Sequence, residues 1–215
     1  MTWARRYLTQ PEVRFLEAVA ERLIPADDLG PGARDAGVAC FIDGQLVSPW
    51  GVHGRQYRTG PWQEGTPQQG FQSRLTPQEI YRIAIREIDL LCRARHGKPF
   101  HALPAALQDD LLQAMERDEV SLPSLPSALF FGLLLRNTME GFFADPMYGG
   151  NRDKVGWRLI GFPGVAASNY LEQLDRHGVA YRVEPVSILD IEQGRAEVDS
   201  QGYAKHIPIR VEPGT

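Results

Sequence analysis

The sequence lacks the features that would place it among membrane-spanning or nucleic-acid-binding proteins. Its longest apolar run, from Ala128 to Leu135, has eight residues, whereas a transmembrane helix needs about 20. Its net charge is −4, and no tract of the chain concentrates Lys and Arg, as the basic surface of a nucleic-acid-binding protein requires. With 43% hydrophobic residues, the composition is that of an ordinary globular protein. We therefore expect no nucleic-acid partner.

Cysteine is also scarce, and its spacing excludes the common metal and haem motifs. The chain has only Cys40 and Cys92, which form neither a zinc-ligand pair nor a C-x-x-C-H haem-attachment motif. Three states remain open for them: two buried free thiols, a disulfide that joins Cys40 to Cys92, or a bridge to another chain. In an exported protein the internal disulfide would stabilise the fold by about 4 kcal/mol.

Catalytic motifs are missing as well. The sequence has no G-x-G-x-x-G after a strand, no P-loop and no G-x-S-x-G elbow, so dinucleotide binding and these hydrolase mechanisms have no support. The carboxylates of Glu140 and Asp145 are candidates for an acid/base pair, but we interpret Asp145 as a turn initiator and expect Asn137 and Thr138 to satisfy a helix end. We expect no catalytic, cofactor-binding or metal-binding residue in this chain.

What the sequence does contain is a series of apolar residues at helical spacing, which predicts a mainly α fold. Thr9-Gln10-Pro11-Glu12 and Thr76-Pro77-Gln78-Glu79 are capping boxes with proline inside the helix start. They predict helices that end before Pro25 and at Gly97. Further helices are predicted over residues 33–46, 104–117 and 127–140, the last of them buried on nearly all sides, and a short amphipathic piece over residues 167–176.

We expect a single helical domain over residues 1–180, with interaction loops at 47–75 and 141–164, followed by an extended C-terminal arm at 181–215. In the arm, residues 186–191 and 206–211 are interpreted as short edge strands or as extended chain that lies on another protein. The loop at 47–75 has no helical period and carries several aromatic residues, among them Trp62. It is either an interaction surface or a lid over the protein's own core.

The loop at 141–164 combines glycine with large aromatic residues, which indicates a shaped and packed structure rather than a linker. It contains Gly141-Phe142-Phe143-Ala144-Asp145-Pro146, then Tyr148-Gly149-Gly150-Asn151, Gly156-Trp157 and Gly161-Phe162-Pro163-Gly164. This series resembles the signature of the gluconate 2-dehydrogenase subunit 3 family, the small (gamma) subunits of bacterial membrane-bound, FAD-dependent sugar and sugar-acid dehydrogenases. The resemblance extends more loosely to most of the chain.

The resemblance implies an accessory subunit that holds no cofactor of its own. It implies two partners: a catalytic subunit that contains FAD, and a multihaem cytochrome c subunit that holds haem c and passes electrons to membrane quinone. It also implies a complex of three subunits that oxidises D-gluconate. The resemblance thus implies that this chain associates with the membrane only through the complex.

The same resemblance implies a periplasmic location and export of the folded catalytic partner through a twin-arginine leader. Arg5-Arg6-Tyr7-Leu8 is superficially similar to such a leader, but Gln10-Pro11-Glu12 stands where an apolar region is needed. We therefore expect either a cytosolic protein or a mature form whose leader has been removed.

The residues that carry the resemblance are the candidate docking residues. We expect Trp62, Phe142, Phe143, Tyr148 and Trp157 to be divided between the core and the catalytic partner, with Trp157 in the core. Two alternatives remain: the small subunit of a related FAD-dependent polyol or sugar dehydrogenase, and an independent helical module that binds a ligand or metal. The full set of signature residues is Trp62, Gly141, Phe142, Phe143, Asp145, Pro146, Tyr148, Gly149, Gly150, Asn151, Trp157, Gly161, Pro163 and Gly164.

Overall fold

The computed structural model describes residues 3–53, 61, 66, 68, 74–165, 177–178 and 181–209. In this part of the chain the fold is mainly α, as the sequence predicts, and β pairing occurs only as isolated bridges. None of the helices described is long and apolar enough to cross a membrane. The α-helices, in chain order, are α1 (Gln10–Leu23), α2 (Val38–Leu46), α3 (Pro49–His53), α4 (Pro77–His96), α5 (Ala105–Glu116), α6 (Ser127–Phe143), α7 (Val155–Ile160) and α8 (Ile188–Glu192).

The two capping signals in the sequence start α1 and α4, as predicted. The Glu12 carboxylate accepts the backbone N–H of Thr9 at 2.7 Å, and the Glu79 carboxylate accepts that of Thr76 at 2.7 Å. These bonds satisfy N–H groups that a helix end would otherwise leave unpaired. At the other end of α4, Gly97 has φ +70° and closes the helix in the left-handed conformation expected of a C-terminal glycine.

The core is formed where α1, α4 and α6 meet around a cluster of aromatic rings. The ring of Phe15 lies 4.8 Å from that of Phe100 and 6.3 Å from that of Phe130, between ring centroids. The ring of Tyr81 meets Phe130 edge-on at 5.3 Å. All four side chains are fully buried, and such pairs stabilise a core beyond the area they remove from water.

Two predictions about the region around α2 are wrong. The helix begins at Val38 rather than at residue 33, because Gly37 adopts φ +76° and residues 33–37 form turns before it. The segment after α2, for which no helix was predicted, begins with the one-turn helix α3. The remainder of the predicted loop at 47–75, including Trp62, lies outside the described residues apart from 61, 66, 68 and 74–75.

The predicted helix over 127–140 is longer and less buried than the sequence suggested. It continues to Phe143, and one side of it faces solvent, with Leu135 and Met139 40% and 45% exposed. The sequence could not show this, because a continuous apolar run has no polar face to mark the side that remains uncovered. By contrast, α5 occupies the predicted range almost residue for residue.

The interpretation of residues 186–191 as strand or extended chain is wrong from Ile188 onward, although Val186 does form an isolated bridge with Gly164. Residues 188–192 form α8, which begins where Ser187 accepts the backbone N–H of Asp190 and Asp190 accepts that of Ser187. This Ser-x-x-Asp pattern is the same kind of start signal that marks α1 and α4. The predicted amphipathic piece at 167–176 lies outside the described residues.

The segment that precedes α1 is fixed to α2 by one buried carboxylate. Asp43 is 1% exposed and accepts three backbone N–H groups, those of Arg6 at 2.7 Å, Tyr7 at 3.0 Å and Leu8 at 2.7 Å. The Arg82 guanidinium of α4 lies over the Tyr7 ring at 4.4 Å. The N-terminal segment is therefore part of the folded domain from residue 6 onward.

Candidate functional site

The candidate site is the central segment, which we define as residues 141–164. It runs from the last turn of α6 through two 3-10 turns, at Pro146–Tyr148 and Arg152–Lys154, into α7 and the turn that follows. The helix α6 supports its first residues, and α7 packs back against the end of α6. The segment is thus a compact loop held on one end of a long helix that is buried on one side.

Two glycines allow the central segment to lie directly on the backbone of α6. A Cβ atom on Gly150 would lie 2.1 Å from the carbonyl oxygen of Gly141, and one on Gly156 would lie 2.1 Å from that of Phe142. Real Cβ atoms essentially never approach so closely, so only glycine fits at either position. The density of glycine in this sequence therefore reflects contact between two backbones.

Asn151 holds the loop in shape from its centre. Its side chain is fully buried, its Nδ2 donates to the carbonyl oxygen of Ala144 at 2.9 Å, and its Oδ1 accepts the backbone N–H of Gly156 at 2.9 Å. Its backbone has φ +45°, a conformation that asparagine tolerates better than most residues. One amide thus joins the end of α6 to the start of α7.

The largest aromatic residues of the segment form its floor. Phe142 is 1% and Trp157 is 5% exposed, and the indole Nε1 of Trp157 donates to the carbonyl oxygen of Phe143 at 2.7 Å. This bond satisfies a carbonyl at the end of α6 that has no partner within the helix. Both rings therefore shape the loop and offer no free surface.

Other glycines of the segment fit against side chains or make turns. Gly141 faces the ring of Phe41, which a Cβ atom would approach to 2.9 Å, and Gly149, at φ +97°, lies against Cys40. Gly161 ends α7 with φ +69°, and Gly164, at φ +81°, lies against the backbone of Val186.

The segment also contacts the C-terminal part of the chain. The Asp145 carboxylate accepts the backbone N–H of Met147 at 3.0 Å, which confirms its predicted role at the Asp145-Pro146 turn. Its other oxygen accepts the backbone N–H of Ile188 at 2.8 Å. The carbonyl oxygen of Pro163 accepts the N–H of Val186 at 3.0 Å. Asp145 therefore caps a turn and the start of α8 together.

An ion pair reinforces this contact. The ammonium of Lys154 lies 2.8 Å from Asp190, and the guanidinium of Arg195 lies 2.9 Å from the same carboxylate. Burial on its own raises the pKa of Asp190, but the hydrogen bonds from Lys154 and Ser187 outweigh it and hold that pKa well below its usual range. Asp190 is therefore a charged, fully hydrogen-bonded carboxylate.

The predicted role of Asn137 as a helix-end cap is wrong, because α6 continues for another turn and a half. The Asn137 Oδ1 accepts the hydroxyl of Tyr81 at 2.7 Å, and its Nδ2 donates to the Glu140 carboxylate at 3.0 Å. Burial, followed by the charge of Glu140, raises the pKa of Tyr81 above its ordinary value. Glu140 is thus fixed by a chain of hydrogen bonds that begins inside the core. This chain joins residues far apart in the sequence, so no local sequence pattern could predict it.

Both cysteines are free thiols in the structure. Cys40 is half-buried on α2 beside Gly149, and Cys92 is buried on α4. Burial raises the pKa of both thiols, that of Cys92 to about 11. No disulfide joins Cys40 to Cys92 in the structure, and a bridge from either thiol to another chain stays an open alternative. In the described residues, no group of three or more His, Cys, Asp or Glu side chains is placed to hold a metal ion.

Several apolar side chains of the segment are left uncovered. Tyr148 is 53% exposed, while Phe143 is partly buried. Leu159, Ile160 and Phe162 are exposed around the end of α7, and Leu159 lines a cleft of about 520 Å³ together with Leu29, which is 77% exposed. We call Leu29, Leu159, Ile160 and Phe162 the α7 patch. Of the predicted aromatic docking residues, Trp62 lies outside the described residues.

The fold and this segment define a helical protein that presents a rigid, glycine-rich loop and an apolar patch at its surface. A comparison with known families identifies the family of proteins to which this chain belongs. Residues 10–164 match the family model for gluconate 2-dehydrogenase subunit 3, a range that includes the whole central segment and all helices from α1 to α7. The chain therefore belongs to that family, as its signature residues predict. No curated protein and no solved structure matches it.

Proposed function

We propose that this chain is the non-catalytic small subunit of a membrane-associated, FAD-dependent gluconate 2-dehydrogenase. The complex would oxidise D-gluconate to 2-dehydro-D-gluconate in its FAD-containing subunit and pass the two electrons to a haem c subunit and on to quinone. This chain would bind and stabilise the FAD-containing subunit, escort it for export and remain with it in the periplasm. The observation that carries the proposal is the family match over residues 10–164.

The division of the central segment into buried and exposed parts supports a docking role. Asn151 and Trp157 use their polar groups inside the loop, so the segment is held in one shape before any partner arrives. A preorganised surface binds more tightly because less conformational entropy is lost on association. The exposed apolar side chains are then free to contact the partner.

We place the contact with the FAD-containing subunit at the α7 patch. Four large apolar side chains are exposed there, and two of them, Leu29 and Leu159, line a cleft. Exposed apolar surface of this kind marks interaction sites. Arg158 at the edge of the patch pairs with Glu184 at 3.0 Å. This gives the apolar centre a charged rim, which is the usual composition of a protein interface.

Co-expression of this chain with the FAD-containing subunit tests the proposal. Ile160→Asp places a charge in the α7 patch, and we expect it to abolish co-purification of flavin with a tagged copy of this chain. Leu90→Asp is the matched control, because Leu90 and Ile160 are both 59% exposed and Leu90 lies on α4, away from the central segment. Equal recovery of flavin with both variants would contradict the placement at the α7 patch.

The identity of the substrate is tested on the assembled complex. We expect reduction of the bound flavin by D-gluconate in preference to other aldonates, polyols and aldoses. Reduction by a polyol or an aldose alone would assign the chain to a related dehydrogenase. A flavin or haem spectrum that belongs to the isolated chain would contradict the accessory role altogether.

A further inference from the structure

We propose that the exposed side of α6 is a self-association surface, through which two copies of this chain pack with their α6 helices antiparallel about a two-fold axis. This surface, which we call the α6 face, consists of Gly132, Leu135, Arg136, Met139, Glu140 and Phe143. It shares no residue with the α7 patch, and the inference does not depend on the proposed function.

The α6 face has the spacing of a helix–helix seam. Its members lie at positions i, i+3, i+4, i+7, i+8 and i+11 along α6, so they form a single stripe. All are exposed except Phe143, which is partly buried. Leu135 and Met139 present large apolar side chains to solvent there. The stripe from Gly132 to Phe143 is about 17 Å long, as helical rise gives.

The charges on this face are not paired with each other. Arg136 and Glu140 are one turn apart, yet no ion pair joins them, and the Arg136 side chain makes no hydrogen bond to the described residues. Arginine on the N-terminal side of glutamate is also the less favourable order for such a pair within one helix. Glu140 is held in place by Asn137 at 3.0 Å. Both charges are thus available to a partner.

A two-fold axis that crosses α6 near Thr138 makes these charges complementary to themselves. In an antiparallel pair, the residues that lie level have numbers that add to a constant, so Arg136 of one copy lies level with Glu140 of the other. The relation holds twice, because a two-fold contact uses the same surface on both copies. The charges of α6 alone therefore specify a second copy of this chain as the partner and an antiparallel orientation of the two helices.

The shape of the face agrees with the same arrangement. Gly132 is exposed, and a Cβ atom there would meet no atom of the described residues within 4 Å. Nothing in that part of the chain therefore requires glycine at this helix position, where alanine would be more stable. The axis near Thr138 sets Gly132 of one copy within one residue of level with Phe143 of the other. The Gly132 end of each α6 face, which has no side chain, thus packs against the Phe143 end of the other.

A groove beside Phe143 enlarges the contact. Its volume is about 670 Å³, and its walls include Phe41, Trp50, Phe143 and Tyr148. It lies along the C-terminal half of α6, where the N-terminal half of the other α6 would pack. Aromatic walls of this kind are typical of the central part of protein interfaces.

Sedimentation velocity on this chain alone, over a concentration series, tests the inference. We expect the wild-type chain to shift from monomer to dimer as its concentration rises. Arg136→Glu and Glu140→Arg each create two like-charge contacts across the axis, so each should weaken self-association at least about tenfold. Circular dichroism confirms that each variant is folded.

Two recombination experiments distinguish this contact from a structural effect of the substitutions. The double variant R136E/E140R restores opposite charges across the axis and should dimerise again. An equimolar mixture of the R136E and E140R chains should also dimerise, because every contact in the mixed dimer joins Glu to Arg. A wild-type chain that stays monomeric throughout the series, or single variants that fail to associate when mixed, would overturn the proposal.

Discussion

Gly150 lies on the carbonyl oxygen of Gly141 so closely that a Cβ atom would be 2.1 Å from that oxygen. The two residues are the point where the central segment folds back onto α6. Gly141 cannot move away from Gly150 easily, because Gly141 is itself packed on the ring of Phe41. The geometry of the docking loop therefore depends on the absence of a side chain at one position.

We expect Gly150→Ala to lower the free energy of unfolding by about 3 kcal/mol, the upper end of what overpacking a buried site costs. Gly44→Ala is the matched control, since Gly44 lies within α2 and the nearest atoms to its Cβ would be 3.8 Å away. That substitution should be neutral or stabilise by up to about 1 kcal/mol. Urea denaturation of both variants makes the comparison, and equal stability would refute the close approach.

We expect Asn151→Asp to lower the free energy of unfolding by about 2–3 kcal/mol at neutral pH. The aspartate keeps the size of the side chain and can still accept from Gly156, but it has no N–H to donate to the carbonyl oxygen of Ala144. That carbonyl would then face a carboxylate oxygen without a proton between them. Thermal unfolding at fixed pH measures the loss, and an unchanged midpoint would show that the amide does not hold the loop.

The contact between Asp190 and Lys154 should make the C-terminal part of the chain sensitive to acid. Because the pKa of Asp190 is lower in the folded than in the unfolded protein, its contribution is complete above the unfolded pKa of about 3.9 and is lost as the pH falls below it. We expect Asp190→Asn to destabilise this contact by about 2 kcal/mol at pH 7.

The difference in the stability of this contact between the Asp190→Asn variant and the wild type should shrink as the pH falls below about 4. Hydrogen exchange of residues 186–192 measures it. Glu184→Gln, which removes an ion pair with Arg158 whose side chains are 46% and 49% exposed, should have a small effect by comparison. A difference that does not depend on pH would contradict the assigned role of the charge.

Release of the N-terminal segment should follow from Asp43→Asn. The variant removes the charge that accepts three backbone N–H groups, and bonds to a charged group contribute about 1.5–3 kcal/mol each. We expect trypsin to cleave after Arg5 and Arg6 more than about tenfold faster, because cleavage follows the population of the open segment. Asp35→Asn, at an exposed position, is the control and should leave the rate unchanged.

Helix starts were the part of the fold that the sequence predicted best, because the signal is local. The boxes at Thr9 and Thr76 lie beside the helices they begin. The same signal at Ser187 predicts no helix by itself, since α8 has too few residues to show a helical period. The start of α2 was misjudged because Gly37, in the left-handed conformation, interrupts a run of good helix formers.

The candidate site was recognised from its composition, but its construction could not be predicted. The contacts of Asn151 with Ala144 and Gly156 require α7 to fold back on α6, and no spacing in the sequence encodes that turn. The exposed side of α6 was hidden for another reason: Leu135 and Met139 are apolar, as buried residues are. Only the tertiary structure shows that the described residues leave these two side chains partly exposed.

The role proposed for this chain is to bind and stabilise an FAD-containing catalytic subunit. Expression of that subunit with and without this chain tests this role, with the flavin bound per catalytic polypeptide in the soluble fraction as the measurement. We expect soluble, flavin-loaded catalytic subunit only in the presence of this chain, and we expect the two to co-purify. Equal recovery of the loaded subunit without this chain, and no co-purification with it, would refute the proposed role.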